Sequence, residues 1–185
     1  MKKIEIEVPD GKRAEWLNGV LTLVDDTPKD VRDRIKTLLD ACTELGDEHP
    51  LVTQYRLITG AYKGEEKTDD IVAYLKLRII TAALNEGWEP QFVEGEQRWY
   101  SWYDFLTKEE YNDMTDEEKC RVVGRAYNFA GAYGGLVYSS SSNVSAYSGA
   151  NIGSRLAFKS EELAEYAAKQ FIDIYADYCF KPLTE

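Results

Sequence analysis

From Ala126 to Ser154 the chain carries no charged side chain, although it holds 22 Lys or Arg and 33 Asp or Glu over its 185 residues. The span is built of Gly, Ser, Tyr and Asn, and Arg155 is the first charge after it. Within it "GGLVYSS" (134–140) reads as a strand and "SSNVSAYSGAN" (141–151) as a loop or short strands. "GSRLAF" (153–158) reads as another strand. Just upstream, "RWYSWYDF" (98–105) alternates Trp99, Ser101, Tyr103 and Phe105 on one face with Tyr100, Trp102 and Asp104 on the other. Aromatic residues favour strands. With both faces aromatic, this strand is either buried on both sides or turns its second face to a partner. The three segments 98–105, 134–140 and 153–158 are therefore expected to form an antiparallel sheet.

The flanking sequence supplies hairpin and helix signals. "IEIEV" (4–8) alternates as a half-buried strand does, and "PDGK" follows as a turn. "AEWLNGVLTLV" reads as strand, Asn18-Gly19 turn and strand, because Asn-Gly accepts the positive φ angles of a type I′ turn. Residues 3–24 thus read as a hairpin or small meander that must pack on something else. Thr27-Pro28 opens a helix that keeps Val31, Ile35, Leu38, Leu39 and Cys42 on one side and ends at Gly46. A shorter helix follows over 51–60. Thr68 caps a third, with Ile71, Leu75, Ile79 and Ala82 or Ala83 inward, ending at Gly87. "TKEE" and "TDEE", beginning at Thr107 and Thr115, are capping-box starts, the second leading a helix through Arg125. Ser160 caps a closing helix over 161–179 with Leu163, Ala167, Phe171, Ile174 and Tyr178 on one stripe.

The expected fold is α+β: an N-terminal β-hairpin or meander, a helical middle, and a C-terminal antiparallel sheet packed by a closing helix. At 185 residues and 44% hydrophobic content, one domain spans 1–185. A weak boundary at 88–97, where Pro and Gly cluster, divides 1–87 from 88–185.

Composition narrows the function classes. A net charge of −11 with no basic cluster disfavours nucleic acid. No run approaches 18 apolar residues, so no membrane span is expected. "MKKIEIEVPDG" lacks the apolar core of a secretory signal, which makes the host cytoplasm the expected location and leaves the Asn143-Val144-Ser145 sequon a coincidence. Cys42, Cys120 and Cys179 are odd in number and far apart, giving neither a disulfide framework nor a zinc pattern. The one histidine, His49, lies in "GDEHPL", which reads as a connection rather than part of a triad. No phosphate-loop, dinucleotide or calcium-loop motif is present, so no metal, cofactor or catalytic residue is expected. Paired carboxylates such as Glu109-Glu110 and Glu117-Glu118 sit where helix starts explain them, and a carboxylate enzyme is the weakest reading.

Tyr, Ser, Gly and Asn are the residues that recognition loops favour, since Tyr gives rigid contact area and the small polar residues give adaptable hydrogen bonds. The neutral span, 131–155, with the aromatic strand beside it, is accordingly the candidate ligand-binding surface. Trp99, Trp102, Tyr138 and Tyr147 would stack, Asn143 and Asn151 would hydrogen-bond, and Arg155 would anchor a carboxylate or phosphate.

Three stretches carry a resemblance: Ala83–Pro90 ("ALNEGWEP"), Trp99–Phe105 and Gly153–Tyr178 ("GSRLAFKSEELAEYAAKQFIDIYADY"). Together they resemble a largely uncharacterised group of phage and prophage proteins of gut bacteria, with a W-Y-x-W aromatic strand and a C-terminal GSRL-x-FKS-x-ELAEYA-x-KQF motif. Ser101 stands where that group usually has Pro, and the 107–125 insertion is longer. The resemblance implies a mobile-element origin and no particular activity. The order of aromatic strand, variable loop and "GSRL" also resembles the ending of C-type-lectin-like domains, but the helix after Ser160 does not fit that ending. The leading expectation is a non-enzymatic accessory protein binding a small molecule or a host protein, with homo-oligomerisation left open. The alternative is a virion structural, decoration or tail-associated subunit.

Overall fold

The computed structural model describes residues 6–26, 28–61, 70–91, 93–124, 134–144 and 155–180. The chain starts with an antiparallel hairpin, β1 (Lys12–Leu17) and β2 (Val20–Asp25), closed by Asn18 at φ 51° and Gly19 at φ 80°. Positive φ at both turn residues matches the right-handed twist of the strands. Residues 6–8, the described part of the strand expected over 4–8, form no strand, and among the described residues the N-terminal unit is a hairpin. Both faces carry apolar side chains left uncovered by the described residues: Trp16 (73% exposed) and Leu23 (45%) on one, Leu17 (46%) and Val20 (63%) on the other.

The helix expected from Thr27 to Gly46 is two helices, α1 (Val31–Arg34) and α2 (Leu38–Leu45). Thr27 itself lies outside the described residues, and Asp30 is the N-cap of α1. The break has a local and a distant cause. Thr37 and Asp40 form a capping box, a second helix start inside the periodic run. The carbonyls freed by the break are taken by the closing helix, with Tyr166 Oη donating to Ile35 O at 2.6 Å and Gln170 Nε2 to Lys36 O at 2.8 Å. Gly46, at φ 86°, ends α2 as expected. The restart rotates the apolar stripe: Ile35 is fully buried, but Leu39, expected inward, is 73% exposed.

Helix α3 (Pro50–Ala61) and α4 (Asp70–Leu84) complete the middle. Thr68, the expected cap of α4, lies outside the described residues. Ile71 is exposed rather than inward, while Leu75, Ile79 and Ala83 are buried as expected. Val72, Leu77, Ile80 and Leu84 are buried too, so α4 is covered nearly all round. It is the central helix, packed by α2 and α3 and by the C-terminal helices.

Strand β3 (Arg98–Leu106) leads through Thr107 into α5 (Lys108–Asp113) and through Thr115 into α6 (Asp116–Lys119). Both threonines form the expected capping boxes; Thr107 N donates to Glu110 Oε2 at 2.7 Å, and Glu110 N donates back to Thr107 Oγ1 at 3.2 Å. The second helix stops at Lys119 instead of reaching Arg125, because the chain turns to bridge Val123 with Leu136. Strand β4 (Gly135–Val144) pairs antiparallel with β3. The expected third strand, 153–158, contributes a single bridge, Phe158 to Trp99. The backbone on both sides of that bridge is held by Asn85, 3% exposed just past the end of α4: its Nδ2 donates to Ala157 O at 2.8 Å and its Oδ1 accepts from Lys159 N at 3.1 Å. A side-chain amide thus takes the place of a strand ladder.

The closing helix is also split, into α7 (Glu161–Gln170) and α8 (Ile172–Cys179), by Phe171 at φ −115° and ψ 25°. Ser160 caps it, its Oγ accepting from Leu163 N at 3.4 Å. The two helices pack between α4 and the β3–β4 sheet. The main core joins Ile35, Val52, Ile79, Ile80, Leu84, Phe158 and Ala164. This is the α+β arrangement expected, with helices on one face of a C-terminal antiparallel sheet.

Caps set a pH dependence. The Arg32 side chain, hydrogen-bonded to Asp30, holds the Asp30 carboxyl down at about 2. The Thr37 hydroxyl lowers Asp40, and the backbone N–H groups of Thr107 and Thr115 lower Glu110 and Glu118. A folded-state pKa below the unfolded one adds stability that is complete above the unfolded value, about 4 for Asp and Glu, and is lost as pH falls through the folded value. The melting temperature should therefore hold from pH 7 to about 5 and fall steadily from about 4 towards 2. A melting temperature unchanged between pH 5 and 2.5 would show that these caps add nothing.

Candidate binding surface

The β3–β4 ladder sets Trp99 opposite Asn143, Tyr100 opposite Ser142, Ser101 opposite Ser141 and Trp102 opposite Ser140. The register shifts between Trp102 and Tyr103, so Tyr103 meets Tyr138 and Ser139 is the extra residue. A bulge of this kind bends a strand and re-aims its side chains. The odd-numbered face of β3 lies on the helices. Trp99 packs against the main core, Ser101 Oγ donates to Ala164 O at 2.8 Å, Tyr103 lies 4.9 Å from the Tyr175 ring, and Phe105 stacks edge-on to Phe180 at 5.5 Å. Burial pushes the Tyr103 hydroxyl far above its ordinary range.

The even-numbered face changes along its length. Arg98 is fully buried, with Nε 3.9 Å from Glu96 Oε2, and Tyr100 is 2% exposed. Trp102 is 46% exposed. Its indole N–H donates to Ser142 Oγ across the ladder, which fixes the ring. The strand is therefore buried on both sides only in its first half. Beside Trp102 lies a cleft of about 230 Å³, lined by Tyr100, Phe105, Leu156, Tyr178 and Cys179. Burial pushes the Cys179 thiol up to about 11.

The expected site residues separate accordingly. Trp99 is half-buried against the main core, on the face opposite Trp102. Tyr138 is half-buried; its hydroxyl meets Ser141 Oγ at 3.0 Å, and Lys169 Nζ lies 5.2 Å from its ring. Asn143 is exposed at the far end of β4. Tyr147 and Asn151 lie outside the described residues. Arg155 is exposed and lines a different cleft, with Arg78 and Trp88. The structure thus gathers Trp102, Ser140 and Ser142 on one ordered face and places Arg155 elsewhere.

Compared with protein-family models, curated proteins and solved structures, the chain matches none.

Sequence reasoning missed Tyr178 and Cys179 as neighbours of Trp102. Tyr178 has the spacing of a core stripe, and its ring does stack on Tyr74 at 5.7 Å. Nothing in the local pattern says that its other side borders β3, because that follows from how α8 crosses the sheet. His49 has a local duty: its Nδ1 accepts from Leu51 N at 3.3 Å at the start of α3. Among the described residues no group of three His, Cys, Asp or Glu could hold a metal ion, and no helix is long and apolar enough to cross a membrane.

Proposed function

We propose that this is a non-enzymatic accessory protein of phage or prophage origin, acting in the host cytoplasm by binding a host protein through the Trp102 face of β3–β4. The observation that carries this reading is Trp102, a large aromatic ring that is 46% exposed yet already fixed by its hydrogen bond to Ser142. A ring held in place before binding loses little conformational freedom on contact, and tryptophan is among the residues that dominate binding energy. The surrounding charge pattern supports a protein partner. Strand β4 has no charged residue in a chain of net charge −11, and the centres of protein interfaces are depleted in charge. The phage origin rests on the resemblance of the Ala83–Pro90, Trp99–Phe105 and Gly153–Tyr178 stretches.

The second reading, a virion subunit, is favoured by one observation. The hairpin offers another apolar face, at Trp16, that the described residues leave uncovered, and a subunit in a head-to-tail assembly needs two contact faces.

Native mass spectrometry of the protein drawn from infected or producing cells tests the first reading. The wild-type chain should carry a host polypeptide at fixed stoichiometry. Trp102→Ala should lose it, with affinity reduced at least tenfold, about 1.4 kcal/mol, while the melting temperature moves by no more than a few degrees. Retention of the same partner by Trp102→Ala would overturn the proposal. Recovery of the chain in purified particles at fixed copy number would establish the virion reading in its place.

A further inference from the structure

Behind the segment that Asn85 clamps lies a cleft of about 230 Å³ between the C-terminal half of α4, the turn after it and residues 155–157. Arg78 and Thr81 line it from α4, and Asn85 from the turn just after it. Spacings of three and four residues put these side chains on one side of a helix. Trp88 is half-buried in its wall, and Arg155 and Glu89 are exposed at its mouth.

Thr81 marks this cleft as more than a surface irregularity. The residue is 3% exposed, and its Oγ1 is buried without a hydrogen-bond partner among the described residues. A threonine within a helix ordinarily returns its hydroxyl to the carbonyl four residues back, which here would be Leu77. A buried polar atom left unsatisfied in a native fold calls for an explanation, and a ligand is one. Both ends of the Asn85 amide are engaged by Ala157 O and Lys159 N, so Asn85 builds the wall rather than filling the need.

The charge of the cleft runs against that of the molecule. Two guanidiniums face one rim carboxylate, in a protein of net charge −11. The Arg78 guanidinium is placed by the Tyr74 ring, whose centroid lies 5.9 Å from its Cζ. Arginine forks and a hydroxyl are donors suited to an oxyanion. The volume is below the roughly 300–1,000 Å³ of drug-sized sites, so the occupant is small. The indole of Trp88 offers it an aromatic surface.

We propose that this cleft is a binding site for a small oxyanion carried on a planar ring, its phosphate or carboxylate held by Arg78, Arg155 and the Thr81 hydroxyl and its ring lying against Trp88. The site is independent of the Trp102 face: the two line no common cleft, and either can fail alone.

Isothermal titration calorimetry of the full chain with phenyl phosphate, benzoate and the neutral benzyl alcohol tests this. At least one of the two anions should bind saturably at a single site, and benzyl alcohol should not. The stronger of the two anions tells a phosphate site from a carboxylate site. Arg155→Gln and Arg78→Gln should each weaken that binding about tenfold or more, and Trp102→Ala should leave it unchanged. Thr81→Val is the sharper variant, because it removes the hydroxyl and keeps the shape. Anion binding should weaken while the melting temperature of the ligand-free protein holds or rises, since an unsatisfied group has gone. Absence of saturable binding by both anions at millimolar concentration would overturn the proposal. So would undiminished binding in both arginine variants, or a Thr81→Val protein that melts lower and binds as well as the wild type.

Discussion

Replacing Phe158 with alanine is expected to cost about 3–5 kcal/mol of folding stability. The side chain is fully buried and belongs to the main core, where it packs among residues drawn from α1, α2, α3, α4 and α7. Its removal deletes apolar contact and leaves a cavity that rigid helices on several sides cannot close. The backbone of Phe158 bridges Trp99 in both directions, at 3.0 and 2.9 Å, and alanine keeps those two bonds. The loss therefore reports side-chain packing rather than sheet formation. Urea denaturation followed by far-UV circular dichroism should show a lower midpoint with an unchanged slope, since the surface exposed on unfolding is nearly the same. A loss below about 1 kcal/mol would mean that Phe158 does not occupy the shared core.

Asn85→Ala should cost about 2–6 kcal/mol, by leaving two backbone groups without partners at about 1–3 kcal/mol each. The groups are Ala157 O and Lys159 N, 72 and 74 residues away in sequence. They differ from the Phe158 case in where the damage should appear. Nearby, Glu86 is paired with Lys159 at 2.8 Å and with Arg34 at 2.9 Å, on a partly exposed surface where such pairs add little. Those pairs should not rescue the clamp. Hydrogen exchange should show the Lys159 amide losing protection well before the amides of α4 and α7, because the 155–159 segment opens locally. If the Lys159 amide exchanged at the wild-type rate in Asn85→Ala, the clamp would not be what holds the segment.

These two residues show how far the sequence could be read. Phe158 is recognisable as an apolar residue in a strand-like run, and its burial follows. Asn85 gives no such signal: an asparagine before Glu86 and Gly87 looks like part of a helix ending, and the turn there does use φ 50° and 84° at those residues. Its second role depends on a carbonyl and an amide contributed by the other end of the chain. The candidate site divides the same way. The aromatic alternation of β3 and the neutrality of β4 were visible, and the two strands do pair. Their bulge, the inward turn of Trp99 and the separation of Arg155 from Trp102 were not visible, and Thr81, the residue that marks the arginine cleft, has no sequence signature at all.

By itself the sequence determined the elements whose cause lies within a few residues: the Asn18-Gly19 hairpin turn, the capping boxes at Thr107 and Thr115, the glycine stop at Gly46 and the caps and stripe of the closing helix. Each is settled by backbone sterics or by hydrogen bonds spanning two to four positions. Only the tertiary structure decided that α7 takes the carbonyls freed at the α1–α2 break, that 155–159 is held by the Asn85 clamp and a single bridge to β3, that α4 is buried nearly all round, and that Arg78 and Arg155 share a cleft. In each of these the group that satisfies or covers the residue comes from a distant part of the chain, and no local pattern can name a partner brought there by packing.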